Sequence, residues 1–167
     1  MRKKVMVGSV AIGGGERVKI QSMTTCRTSD VETCAAQTER LAAAGCEIIR
    51  YAVLDEADAY AIAELKKRVS LPIVADIHFS PKLAVLAVEN GADKLRINPG
   101  NIGGEKEIAY VADCVRAHHI PVRVGANTGS IEKQFLARYG RSAQALAESA
   151  LYNASLLEKH GVHDIVI

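Results

Sequence analysis

The sequence predicts an α/β fold of the (β/α)8, or TIM-barrel, type, truncated after about its sixth strand. Three observations predict it. Six short β-branched segments alternate with stretches of helical periodicity, so strands and helices take turns along the chain. The first five segments begin 22 to 28 residues apart, the length of a simple βα unit. Their carboxyl ends carry Arg, Asn, Asp and His where a buried strand would stay apolar, which suits a barrel whose site is built from all the βα loops. The competing fold, an open doubly wound sheet, expects a Gly-x-Gly-x-x-Gly turn after its first strand; the run Gly13-Gly14-Gly15 comes before that strand instead.

The elements follow in order. Residues 5–20 read as a hairpin, Val5-Met6-Val7 against Val18-Lys19-Ile20 around the glycine run. The first barrel strand is Ile20 to Thr24. A helix opens at Ser29, which with Glu32 has the spacing of a capping box, turns Val31, Thr38, Leu41 and Ala42 to one face, and stops at Gly45. After the strand Ile48–Val53, a second helix begins near Asp55, spaces Ile62, Leu65 and Val69 helically, and ends before Pro72. The strand Ile73–His78 leads into Ser80-Pro81, an N-cap followed by proline at the first helical position, and that helix closes at Gly91. Leu95–Asn98 precedes a helix over about 105–118 with Ile108, Val111 and Val115 inward. Val122–Asn127 is followed by a short extra helix within 130–139, then a helix over 142–159 that stops at Gly161. Ile165–Ile167 starts the sixth strand, where the chain ends. A complete barrel takes about 250 residues, so residues 1–167 are expected to be the N-terminal part of one.

Composition narrows the class. With 49% apolar and 24% charged residues the chain can bury a core as one soluble domain. The balance of 21 basic against 19 acidic residues leaves a net charge of +2, no basis for a nucleic-acid or membrane partner, so any anion preference must be local. No apolar run approaches the roughly 20 residues that span a bilayer, and the Lys3-Lys4 start lacks the apolar stretch of a secretory signal. A cytoplasmic location of bacterial type is expected. The four cysteines include no C-x-x-C pair and no histidine at zinc-ligand spacing; Cys34, Cys46 and Cys114 read as small buried hydrophobes, and Cys26, ending a strand, as the one near a site.

Residues two apart on a strand share a face. Asp76 therefore points with His78, Arg96 with Asn98, and Arg123 with Gly125 and Asn127. Together with Arg50, three cationic strands on one face describe an anion site, and phosphate suits guanidinium forks. The competing reading pairs these arginines structurally with Asp76, Asp93 or Glu47. Asn98 and Asn127 are expected to donate to phosphate or hydroxyl oxygens, whereas Asn101 reads equally as a turn residue. Asp76 and His78 form a candidate proton-handling pair, since a carboxylate holds an imidazole tautomer. Gln21 and Thr24 shape the floor. The pair Gly103-Gly104 brings backbone amides to phosphate or simply starts a helix. His118, His119, His160 and His163 lie near helix ends at the opposite rim.

Four segments taken together are specific: Gln21-Ser22-Met23-Thr24, Ala75-Asp76-Ile77-His78-Phe79, Arg96-Ile97-Asn98-Pro99-Gly100-Asn101-Ile102-Gly103, and Arg123-Val124-Gly125-Ala126-Asn127. In this order and spacing the chain closely resembles 4-hydroxy-3-methylbut-2-enyl diphosphate synthases, the iron-sulfur reductases of the methylerythritol phosphate isoprenoid pathway, over residues 3 to 167. Thr25 and Cys26, where members often have Asn-Thr, and Ala126 and Thr128 depart from the pattern without removing a charge. The resemblance implies reductive ring opening and dehydration of 2-C-methyl-D-erythritol 2,4-cyclodiphosphate at the barrel mouth. Arg50, Arg96, Asn98, Arg123, Asn127, His78 and Gln21 would bind that substrate. It further implies a [4Fe-4S] cluster carried by a C-terminal domain absent from this chain, with none bound by residues 1–167, a ferredoxin or flavodoxin as electron donor, and a homodimer. On that reading the chain alone is inactive. Two alternatives remain: another phosphate-binding barrel such as a pterin-linked synthase, which would lack the R-I-N-P-G-N-I-G run, and a non-catalytic half-barrel that binds anions or self-associates.

Overall fold

The computed structural model describes residues 3–167. An antiparallel hairpin, β1 (Lys4–Val7) and β2 (Val10–Gly13), precedes six parallel strands: β3 (Gln21–Met23), β4 (Ile48–Val53), β5 (Ile73–Ile77), β6 (Lys94–Ile97), β7 (Val122–Val124) and β8 (Ile165–Val166). Spatial order follows chain order, each strand pairing with the next. A doubly wound sheet reverses at a switch point; an unreversed order is that of barrel strands. Between them run α1 (Val31–Ala43), α2 (Glu56–Arg68), α3 (Pro81–Glu89), the short α4 (Pro99–Ile102), α5 (Glu105–Ala117), α6 (Lys133–Tyr139) and α7 (Ala143–Lys159).

The two faces of each strand have different fates. Ile49, Tyr51, Val53, Ile73, Ala75, Ile77, Leu95, Ile97, Val122 and Val124 point outward and pack in one core with Ile62 and Leu65 of α2, Ala84 and Val88 of α3, Ile108 and Val111 of α5, and Leu157 of α7. Full burial of each such aliphatic side chain contributes about 1.5–3 kcal/mol, so this shell holds the helices on the sheet. Tyr51 keeps its hydroxyl satisfied 2.6 Å from that of Thr38 on α1, inside the same layer. The inward face is apolar at its base, where Ile48 and Val74 pack with Val7, and with Val10 and Ile12 of the hairpin. The hairpin thus plugs the amino-terminal end of the lumen and leaves the carboxyl end polar.

Three sequence expectations change. The second hairpin arm is Val10–Gly13, not Val18–Ile20, and Val18 is 89% exposed. Gly8 makes the difference: at φ +54 it closes a tight turn between Val7 and Val10, where an added Cβ would lie 3.0 Å from Asp93 Oδ1. The apolar arms then both reach Ile48 and Val74. The first helix is capped by Asp30, whose carboxylate accepts the Thr33 N–H at 3.2 Å. Ser29 instead gives its N–H to Asp58, and Glu32 pairs with Arg68, so the capping box does not form. Finally, β7 ends at Val124 because Asn127 leaves the sheet to make a turn, and α4 is a helix that periodicity did not announce.

Asp58 ties the first two βα loops together. Fully buried, it accepts from Arg27 Nε at 3.0 Å, Ser29 N at 2.9 Å and Leu54 N at 3.1 Å. Removing it orphans two backbone donors and one guanidinium donor at once. Asp58→Ala is expected to destabilise the fold by about 2–4 kcal/mol, read as a lower urea midpoint with unchanged slope.

Candidate functional site

The carboxyl ends of β4 to β7 converge on Asp76, which is only 2% exposed. Its Oδ1 takes Arg96 Nη1 at 2.9 Å, and its Oδ2 lies 3.5 Å from Arg50 Nε and 3.7 Å from His78 Nε2. Register explains the convergence. Asp76 pairs with Arg96 and Arg96 with Arg123, so three inward side chains stand at one level of the lumen. Arg50 arrives from the neighbouring strand and also rests its Nε and Nη2 on Met23 Sδ, at 3.2 and 3.1 Å. Of the sequence-level alternatives, Asp76 does pair with two of the arginines, whereas Asp93 takes Lys66 and Glu47 takes Arg17.

Arg123 has no acidic partner among the described residues. Burial first, then the charges of Arg50 and Arg96, pull its affinity for a proton down, while Asp76 acts the other way. A further cation escaped the sequence reading. Lys94 shares the inward face with Arg96 and Asn98, is 2% exposed, and crosses the lumen to Gln21 Oε1 at 3.5 Å. Burial, reinforced by Arg123 and Arg50, lowers its pKa from 10.5 to about 8. The available signal was its place two residues before Arg96, on the same face of the strand. Four cations therefore face one carboxylate. Such an excess is costly unless an anion joins it.

The other predicted residues divide. Asn98 is buried and its Oδ1 has no hydrogen-bond partner among the described residues, which suits it to accept from a ligand hydroxyl. Asn127 is exposed and its Oδ1 accepts the Gly129 N–H at 3.0 Å, which turns the side chain into turn chemistry and leaves its amide nitrogen to donate. Asn101 donates its backbone N–H to Asn98 O in α4. His78 is half-buried beside Asp76, beyond hydrogen-bond length, with the exposed Phe79 next to it. Gly104 caps α5 and its N–H goes to Glu107 Oε2 at 2.8 Å, so this amide serves the helix. His118 and His160 are C-caps of α5 and α7, while His119 and His163 border a cleft of about 300 Å³ with Lys3 and Arg116.

Among the described residues no three His, Cys, Asp or Glu side chains converge as a metal site. Cys46 is buried with its thiol on Ile48 O, and Cys114 lies on α5. The described residues do not build a seat for an iron-sulfur cluster. No described helix is long and apolar enough to cross a membrane.

Two outcomes follow from this geometry. A Cβ on Gly125 would sit 2.6 Å from Arg96 Nε, so Gly125→Ala pushes the guanidinium off Asp76; calorimetric binding of pyrophosphate should weaken about tenfold. Lys94, with its folded pKa below its unfolded value, disfavours the folded state fully below pH 8, and the penalty fades as pH rises from 8 to 10.5. The cost at neutral pH is on the order of 3 kcal/mol. Urea titrations should show the native polypeptide gaining stability across that window and Lys94→Met gaining none of this increment.

Comparison with known proteins agrees with the strand-end pattern. Residues 2–167 match the family described as the GcpE TIM-barrel domain. The chain is 52% identical over 169 residues to the 4-hydroxy-3-methylbut-2-en-1-yl diphosphate synthase (flavodoxin) of Desulfotalea psychrophila, covering 99% of this chain and 46% of that protein. It is 50% identical over 166 residues to the enzyme of the same name from Bacillus subtilis, covering 99% and 44%. The chain thus spans a little under half the length of the curated relatives it matches. Among solved structures, a dihydropteroate synthase from Xanthomonas albilineans superposes with TM-score 0.69 at 14% identity, over 99% of this chain and 64% of that one. A truncated 3-deoxy-D-arabino-heptulosonate 7-phosphate synthase from Thermotoga maritima gives 0.69 at 17%, over 98% and 55%. At such identities the likeness is one of fold alone. Six consecutive barrel strands, the cation-lined lumen and the match along the whole sequence agree: the chain belongs to the GcpE TIM-barrel family.

Proposed function

We propose that this chain supplies the diphosphate-binding part of the barrel in an enzyme that converts 2-C-methyl-D-erythritol 2,4-cyclodiphosphate to 4-hydroxy-3-methylbut-2-enyl diphosphate in isoprenoid biosynthesis. The observation that carries this reading is the excess of cations around Asp76. Arg50, Arg96 and Arg123 offer guanidinium forks to phosphate oxygens, and Lys94 adds a point charge from below. Bound phosphate offsets the burial and, after it, the mutual repulsion that hold the proton affinities of Lys94 and Arg123 down, so the site is electrostatically prepared for it. Asn98 Oδ1 accepts from a substrate hydroxyl, Asn127 donates its amide, and Gln21 holds Lys94 in the lumen. His78, 3.7 Å from Asp76, is the group positioned to exchange a proton with substrate at the mouth.

Reduction requires electrons that none of these side chains supplies. In this reading the remaining barrel strands and a [4Fe-4S] domain lie in the part of the relatives that this chain does not span. Flavodoxin, printed in the relatives' names, is the electron donor, a homodimer brings the cluster to the mouth, and the assembly is cytoplasmic. One observation favours a second reading, an anion-binding domain without turnover: the cation cluster around Asp76 serves anion binding by itself. The intact mass of the native polypeptide separates the two, since a product of 17.9 kDa would overturn the catalytic reading.

Arg96→Ala in the complete enzyme should raise the dissociation constant for the cyclodiphosphate about 10- to 100-fold, the loss expected for a charge-assisted fork. Unchanged binding by calorimetry would overturn the assigned site.

A further inference from the structure

The thiols of Cys26 and Cys34 lie 2.6 Å apart, and neither belongs to the anion site. Cys26 sits half-buried on the loop after β3; Cys34 is fully buried in the first turn of α1. Cys26 Sγ also faces Gln37 Oε1 at 3.4 Å and Cys34 Sγ faces Arg27 O at 3.2 Å, with the Asp30 charge and the Thr24 hydroxyl close enough to act on Cys34. Among the described residues no third ligating side chain converges on them, so these residues do not make the pair a metal site. Burial pushes the Cys34 thiol up to about 12, so it stays protonated and is shielded from solvent oxidants. The accessible sulfur is that of Cys26.

We propose that Cys26 and Cys34 form a reversible disulfide, made and broken by exchange with low-molecular-weight disulfides and thiols, that locks the β3–α1 loop at the barrel mouth. The Cys26 thiolate attacks one sulfur of a small disulfide such as glutathione disulfide and expels a thiolate. Cys34 then attacks the Cys26 sulfur of the mixed disulfide, its proton passing to the second departing thiolate. Two protein thiols are oxidised to one disulfide while one small disulfide is reduced to two thiols. The residues immediately before Cys26 touch the mouth directly, so a bond at Cys26 anchors them to α1. Met23 receives Arg50, Thr24 N donates to Arg50 O, and Thr25 N donates to Gln37 on α1. The bond stands or falls independently of what the mouth binds.

Tryptic cleavage after Lys19, Arg27 and Arg40 separates the two cysteines into peptides 20–27 and 28–40. The native polypeptide is incubated with glutathione disulfide, acid-quenched, alkylated, digested without reductant and mapped by mass spectrometry. The expected result is a 20–27/28–40 cross-link that dithiothreitol removes, with Cys46 and Cys114 recovered alkylated. Singly alkylated peptides, or a link to Cys46 or Cys114, would overturn the proposal. Cys34→Ser is expected to trap the glutathione adduct on Cys26, and Cys26→Ser to leave Cys34 unmodified. An adduct on Cys34 in the second variant would overturn the order of attack. The wild-type map decides the pairing even if a variant fails to fold.

Discussion

Asp76 is the constraint on which the mouth of this barrel depends. A carboxylate with 2% exposure loses most of its hydration, and that loss is tolerated only because Arg96 and Arg50 replace water at its oxygens. The arrangement then acts in reverse. Each arginine is held in one orientation by the carboxylate, so its free edge is pre-aimed rather than sampling rotamers. Because two of the four cations share that one carboxylate and Arg123 and Lys94 have no salt bridge among the described residues, the lumen carries unneutralised positive charge in a low-dielectric setting. An anion completes the balance that the protein leaves open.

The rest of the fold serves to keep that polar cluster in place. Outward residues of the same strands fill an aliphatic layer against the helices, which fixes strand register and so sets Asp76, Arg96 and Arg123 at one level. The hairpin stops the opposite end of the lumen with Val7, Val10 and Ile12. Gly125 leaves room for the Arg96 side chain to cross its neighbour strand. Asp58 and Arg27 clamp the first two loops beside Arg50. Dihydropteroate synthase shares the architecture at 14% identity, so the scaffold is common to very different sequences.

Much of this was legible locally. The β-branched segments, the helix stops at Gly45, Gly91 and Gly161, and the caps at Asp55 and Ser80 follow from short-range sterics and hydrogen bonding, which the structure reproduces. The two-residue period placed Arg96 with Asn98 and Asp76 with His78. Where local signals competed, the outcome depended on distant partners. Ser29 lost its role as cap because Asp58, 29 residues on, takes its N–H, and the glycine run lost the hairpin turn because Gly8 closes it earlier against Pro72 and Asp93.

By itself the sequence determined the alternation of elements, the face on which each charged residue stands, and the family to which the chain belongs, because periodicity and motif order are properties of the chain alone. Only the tertiary structure decided which charges meet. That Arg96 and Arg50 share Asp76 while Arg123 is left without a carboxylate, that Lys94 spans the lumen to Gln21, that Asn127 spends its oxygen on a turn, and that Cys26 meets Cys34 all depend on strand register and loop path. Those contacts arise when the sheet curves and brings residues from different strands within hydrogen-bonding range, a geometry that no single stretch of sequence contains.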